Sequence, residues 1–229
     1  MAGKKIFLFH HAGGDKYAYR MLQQEFSPYY ETIAVELPGR GDRFSEPLLH
    51  DIHAATEDLF VQIRSMLSDV YAFVGVSMGA LKAFLLAHRI FEEGLPLPKH
   101  LFLASRKSLL GYSNHSAIAG LPSVDFWNGV AQYGGVSASM MAHPELLALY
   151  EPILRADFHA LENYSSANYP PLPIKASILI GDQDAITTAD IAPWQESFIP
   201  IIDIQVFNGG HFFIYEQIKD VSDYIRNRY

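Results

Sequence analysis

Three short stretches carry side chains that together could attack a carbonyl. Residues 71–80 read YAFVGVSMGA, an apolar run that ends in Gly-Val-Ser-Met-Gly. A serine hydroxyl is a weak nucleophile until a neighbouring base activates it. The Gly-x-Ser-x-Gly string presents such a serine when a buried strand turns sharply into a helix, with the glycines leaving room for the turn and for close strand–helix packing. The flanking residues predict that context, which makes Ser77 the candidate nucleophile. The string alone leaves open a turn serine without chemistry. A helix opening at Met78 would also favour negative charge developing beside Ser77.

The base is expected late in the chain. Ten histidines are present, but only NGGHFF at 208–213 sets one, His211, on a glycine-rich loop after the last apolar run. A capping histidine is the plainer alternative. The acid should follow the preceding apolar run, where ILIGDQDAIT at 178–187 offers Asp182 and Asp184. A carboxylate bonded to the imidazole fixes its tautomer and stabilises the imidazolium. Position alone does not choose between the two aspartates. As oxygen ligands for a metal they lack enough companions. The Met78 backbone N–H is the first candidate donor to an oxyanion, and Ala12 in HHAGG (10–14), after the first strand, is the second. Adjacent histidines such as His10 and His11 seldom turn to one metal, and neither cysteine nor an HExxH string accompanies them. No metal and no cofactor is expected.

The elements that must position these residues are legible as short apolar runs at 5–10, 31–36, 70–76, 100–105, 176–181 and 202–207. Their near-continuous apolar character predicts strands buried on both faces. Helical spacing links Ile52, Ala55, Leu59, Ile63 and Met66 behind a predicted N-cap at Asp51. Met78, Leu81, Leu85 and His88 predict a second helix ending near Gly94. Ile214, Ile218, Val221 and Ile225 predict one last helix. Such alternation builds an α/β fold, a mostly parallel sheet with helices on both sides.

About seventy residues separate the fourth and fifth runs, too many for a crossover. Within them Phe126, Val130 and Tyr133, then Leu146, Leu149, Ile153 and Leu154, predict short amphipathic helices, and the proline cluster YPPLPIK (169–175) ends the segment. We read 105–173 as a helical lid inserted in a single domain, 1–229, over the edge of the sheet where open α/β folds bind ligands. Met140, Met141, Phe126 and Trp127 load it with adaptable apolar surface. That surface is expected to cover the bound ligand.

Composition narrows the classes. Of 229 residues 49% are hydrophobic and 18% charged, which predicts a globular chain with a sizeable core. A net charge of −8 without a basic cluster argues against nucleic acid. No apolar run approaches a membrane span, and the IFLF stretch near the N-terminus is shorter than a signal peptide's apolar region. With no cysteine there is no thiolate chemistry, and a cytoplasmic enzyme is expected.

Six blocks taken together, FHHAGG (9–14), ELPGRGDRFSEP (36–47), GVSMGA (75–80), PILRADFHALENY (152–164), IGDQD (180–184) and GGHFF (209–213), resemble the stand-alone type II thioesterases of nonribosomal peptide and polyketide biosynthesis. The blocks span nearly the whole chain, and LPGRGxR with LRADF is more specific than the serine string. The resemblance implies an α/β-hydrolase fold. It also implies hydrolysis of acyl thioesters on the phosphopantetheine arm of an acyl or peptidyl carrier protein. The family's acid matches Asp184, so the implied triad is Ser77, Asp184 and His211. The chain departs from the family in Val76, where a histidine is usual, and in HHAGG for PHAGG. The RGD tripeptide at 40–42 falls inside a family block and carries no separate meaning. Competing readings are an acyltransferase working through the same acyl-enzyme, a general carboxylesterase, and a scaffold without catalysis. The last usually lacks a triad member, and all three are present here.

Overall fold

The computed structural model describes residues 4–67, 70–109, 117–136, 138–165 and 168–229. Six parallel strands form one sheet in the order β2-β1-β3-β4-β5-β6. They are β1 (Lys5–Phe9), β2 (Glu31–Ala34), β3 (Tyr71–Val76), β4 (His100–Ala104), β5 (Lys175–Gly181) and β6 (Asp203–Phe207). All six apolar runs of the sequence are strands, and β3 and β4 are buried along their whole length. The expectation of burial on both faces fails at the edges. In β6 exposed and partly buried positions alternate, with Ile204 and Val206 open to solvent, because an edge strand has one neighbour and a thinner helical cover.

Helices α1 (Arg20–Phe26), α2 (Ile52–Ile63), α3 (Met78–Glu92), α4 (Ser123–Ala131), α5 (Ala138–Met141), α6 (Pro144–Glu162), α7 (Thr188–Ile191), α8 (Phe213–Glu216) and α9 (Ile218–Arg226) complete the chain. Asp51 caps α2 as predicted, its carboxylate accepting the Ala54 N–H at 2.8 Å. On one face of the sheet α2 and α3 pack with Trp194 and Phe198, and on the other α1 packs with α8 and α9. The single last helix predicted from Ile214 to Ile225 is two. Gln217 leaves helical geometry at φ −104, ψ 41, and the break lets Phe213 and Ile214 bury in the same cluster as Val221 and Ile225.

Between β4 and β5 the chain builds α4, α5 and α6. Where short helices were expected over 146–154, α6 runs unbroken for 19 residues, with Pro144 at its first turn and Pro152 inside it. Its second half buries Ile153, Leu154, Phe158 and Leu161, whereas Leu146 and Leu149 are exposed. Phe126 and Trp127 do not line an open surface. They are sealed with Ile118, Val130, Leu154 and Phe158 in a small core of their own. Residues 110–116, 137 and 166–167 of the expected lid lie outside the described residues. Among the described residues no helix is long and apolar enough to cross a membrane.

Candidate active site

Ser77 stands between β3 and α3 with φ 54 and ψ −114, a backbone region that non-glycine residues seldom occupy and that costs free energy to hold. The two glycines around it are there for space. A Cβ at Gly75 would lie 2.3 Å from the Gly79 carbonyl oxygen, and one at Gly79 would lie 1.8 Å from the Phe9 oxygen. The backbones of β1, β3 and α3 therefore touch, which brings the N-terminus of α3 against the loop that follows β1. Met78, the first residue of α3, and Ala12 in that loop carry backbone N–H groups with no acceptor among the described residues.

The loops after β5 and β6 interlock. A Cβ at Gly181 would meet the Gly209 oxygen at 2.2 Å. Asp182 N–H donates to Phe207 O and Gln183 N–H to Gly209 O. This lacing separates the two aspartates that spacing left together. Asp182 crosses to the loop after β6 and accepts the Gly209 N–H at 2.9 Å. Asp184 accepts the Ile186 N–H with one oxygen and faces His211 Nδ1 with the other, at 3.0 Å. The pair is nearly enclosed, the side chains being 9% and 4% exposed for His211 and Asp184.

Ser77 and His211 are anchored to consecutive residues at the end of β4. Ser77 N–H donates to Ala104 O at 2.8 Å, and the Ser105 hydroxyl donates to His211 O at 2.6 Å. Ser105 itself has φ 52, a second strained residue beside the first. Among the described residues no hydrogen bond joins Ser77 to His211, and catalytic hydrogen bonds often tighten only in the complex with substrate. Above the pair, the Tyr133 ring lies 5.8 Å from the His211 ring and Phe212 lies 5.2 Å from it. The segment between β4 and β5 thus reaches the imidazole.

The adjacent histidines have separate tasks. His11 Nδ1 pairs with the Tyr215 hydroxyl at 2.9 Å, and burial lowers its pKa to about 4, helped by the Lys82 charge. His10 is fully buried, its pKa held well below the usual value by burial and again by Lys82.

Sequence reasoning passed over a set of buried charges beneath this loop. Arg40 and Asp157 form a two-pronged ion pair at 2.5 and 2.8 Å, 2% and 1% exposed. Glu36 and Lys82 are buried nearby. Burial pulls the Lys82 ammonium down to about 7, and among the described residues its Nζ has no hydrogen-bond partner. The available signal was a charge inside an apolar pattern: Lys82 in GALKAFLLAH, and Asp157 on the α6 face that carries Ile153, Leu154, Phe158 and Leu161.

A strained serine after β3, a carboxylate after β5 and a histidine after β6, on a parallel sheet, define an α/β hydrolase. Within that class the chain belongs to the thioesterase family, whose thioesterase-domain model matches residues 4–229. It is 31% identical over 216 residues to the linear gramicidin dehydrogenase LgrE of Brevibacillus parabrevis, covering 93% of this chain and 82% of that one. It is 30% identical over 225 residues to the thioesterase TesA of Mycobacterium leprae, covering 95% and 85%. Among solved structures, the type II thioesterase BorB from the borrelidin biosynthetic cluster superposes with a TM-score of 0.88 at 25% identity, covering 99% and 91%.

Proposed function

We propose that this enzyme hydrolyses acyl thioesters carried on the phosphopantetheine arm of an acyl or peptidyl carrier protein, as an editing or release step in nonribosomal peptide or polyketide biosynthesis. Ser77 is the nucleophile, His211 the general base and then acid, and Asp184 the group that orients the imidazole. The observation that carries the assignment is the Asp184–His211 pair, closed at 3.0 Å and tethered through Ser105 beside the strained Ser77. Ser77 Oγ attacks the thioester carbonyl while His211 Nε2 takes its proton. The Met78 and Ala12 N–H groups receive the oxyanion. The pantetheine thiolate leaves, taking the proton from His211, and a water activated by the same imidazole releases the acid.

The dehydrogenase in the name of LgrE belongs to that protein. In this chain the first strand-to-helix turn, HHAGGD, lacks the G-x-G-x-x-G of a dinucleotide site. The segment 105–173, which brings Tyr133 to His211, is the proposed lid over the acyl site. A chain without cysteine suits the reducing cytoplasm, which we take as its place of action.

Incubation with a panel of acyl-loaded carrier proteins, followed by intact mass, tests the reading. Loss of the acyl mass with a free pantetheine thiol is expected, with none for Ser77→Ala. A fluorophosphonate should label Ser77. Turnover that survives in Ser77→Ala, or labelling of another serine, overturns it. An acyl group appearing on an added amine or alcohol would instead reveal an acyltransferase.

A further inference from the structure

The loop that bears Ala12 is held from below by the Arg40–Asp157 pair. Asp157 Oδ2 accepts the Gly13 N–H at 2.7 Å while also taking Arg40 Nη1 at 2.5 Å. Asp157 Oδ1 takes Arg40 Nη2 at 2.8 Å, and Arg40 Nη1 reaches on to the Gly14 carbonyl at 3.3 Å. Two peptide groups, the one entering Gly13 and the one leaving Gly14, are thereby tied to one buried ion pair. Gly13 has φ +75, a conformation that favours glycine, and a Cβ there would sit 2.4 Å from Leu154 Cδ2. The turn after Ala12 is thus fixed by charge on one side and by α6 packing on the other.

We propose that Asp157, clamped by Arg40, is a positioning residue for the oxyanion: it holds the 10–14 loop so that the Ala12 N–H points at the carbonyl bound on Ser77. The inference rests on the reading that Ala12 supplies an oxyanion donor. Stability does not account for the pair, because two sealed charges generally hold a fold no better than two apolar residues of similar volume. An apolar pair cannot accept the Gly13 N–H. The carboxylate can, and the guanidinium fork prevents it from turning away. A preorganised donor acts only if its direction is set before the charge develops.

The test uses two variants of the full chain, assayed on an acyl-pantetheine thioester. Asp157→Asn leaves one oxygen for which Gly13 N–H and Arg40 compete. It should lower kcat about 10- to 100-fold with KM changed less than about threefold, as expected for a donor displaced but not removed. Its affinity for a trifluoromethyl ketone, which forms a tetrahedral adduct on the serine, should fall by the same factor as kcat/KM. The double variant Arg40→Met/Asp157→Leu removes both charges, should melt at or above the wild-type temperature, and should keep the low kcat. Recovery of wild-type kcat in the double variant overturns the proposal. So does an Asp157→Asn loss that tracks only the folded fraction, with adduct affinity per folded molecule unchanged. Turnover retained in Ser77→Ala would instead sink the underlying site assignment, which separates the two failures.

Discussion

Asp184 and Asp157 are both nearly sealed from solvent, and each fixes a loop that converges on Ser77. Their partners differ in kind. Asp184 faces an imidazole, which can take up and give back a proton, in a pair whose outer rim is made of the Tyr133 and Phe212 rings. Asp157 faces a guanidinium, which does not give up its proton. Burial acts to lower the Arg40 pKa, and the Asp157 carboxylate more than offsets it, so the group is held above its ordinary value. One carboxylate therefore serves a charge that comes and goes, and sits where substrate can reach its partner. The other serves a constant charge whose use is geometric, and can be closed in completely.

The first way to break this contrast is Asp184→Asn. The imidazole keeps a neighbour of the same shape, but with the asparagine oxygen on the Ile186 N–H the amide NH2 faces Nδ1 and favours the wrong tautomer, so kcat should fall about ten-thousand-fold, the scale of the same change in a serine protease triad. Circular dichroism and melting temperature should stay near wild type. Steady-state kinetics beside Asp157→Asn gives the decisive ratio: a larger loss at Asp157 would exchange the two roles.

Gly79→Ala probes the frame that both pairs act upon. The new Cβ would lie 1.8 Å from a backbone oxygen of β1, so neither side can yield without moving a strand or α3. A cost of about 4 kcal/mol or more is expected, among the largest for a single substitution. Urea melts read it directly. A near-neutral result would show that the elbow relaxes, and the rigid seat assumed for Ser77 would be lost.

The contrast also marks what the sequence could tell. The sheet was legible because its inner strands are near-continuously apolar, Ser77 because it closes one of them between glycines, and His211 because it follows the last strand on a glycine-rich loop. Asp182 and Asp184 sit on one turn, and only the direction of each side chain separates them, which local spacing does not carry. Resemblance pointed to Asp184, and it is the Asp184 carboxylate that lies 3.0 Å from His211 Nδ1. Arg40 and Asp157 lie 117 residues apart, so their pairing has no local signature. The break at Gln217 was hidden as well, because both short helices keep one apolar face across it.

A third buried charge sharpens the comparison from the side of stability. Lys82 lies within α3, wholly enclosed, with Asp157, Arg40, Glu36, His10 and His11 as its charged or titratable neighbours. Unlike Arg40 it has no bonded carboxylate among the described residues, and burial lowers its pKa from 10.5 to about 7. Between those values the unfolded chain holds a proton that the folded chain has released, so this contribution makes the fold more stable as pH rises from 7 toward 10.5. Below pH 7 both states are protonated and the penalty of burying the charge is fully present. Lys82→Met should therefore stabilise the protein at pH 7 by about 1–4 kcal/mol, the range seen when buried charges give way to apolar packing. The advantage should shrink toward pH 10. Urea melts at pH 7, 8.5 and 10 check it, and a difference that is constant with pH would show that the lysine is not the cause.

The smallest effect is expected at Asp182, the near neighbour of Asp184 that turns the other way. Its Oδ1 accepts the Gly209 N–H at 2.9 Å, within the loop that carries His211. An asparagine carbonyl can accept the same bond, so Asp182→Asn should leave kcat within about twofold, as for surface changes that remove no specific contact. Asp182→Ala loses the bond and should cost about 1 kcal/mol of stability. Even then the loop keeps the backbone bonds from Asp182 N–H to Phe207 O and from Gln183 N–H to Gly209 O, so His211 should stay in place. Measured together, the two Asp→Asn variants on this one turn should differ by more than a thousandfold in kcat. Equal losses would mean that His211 responds to the charge of the loop as a whole, and the division between an orienting carboxylate and a loop-bracing one would fail where the two lie closest.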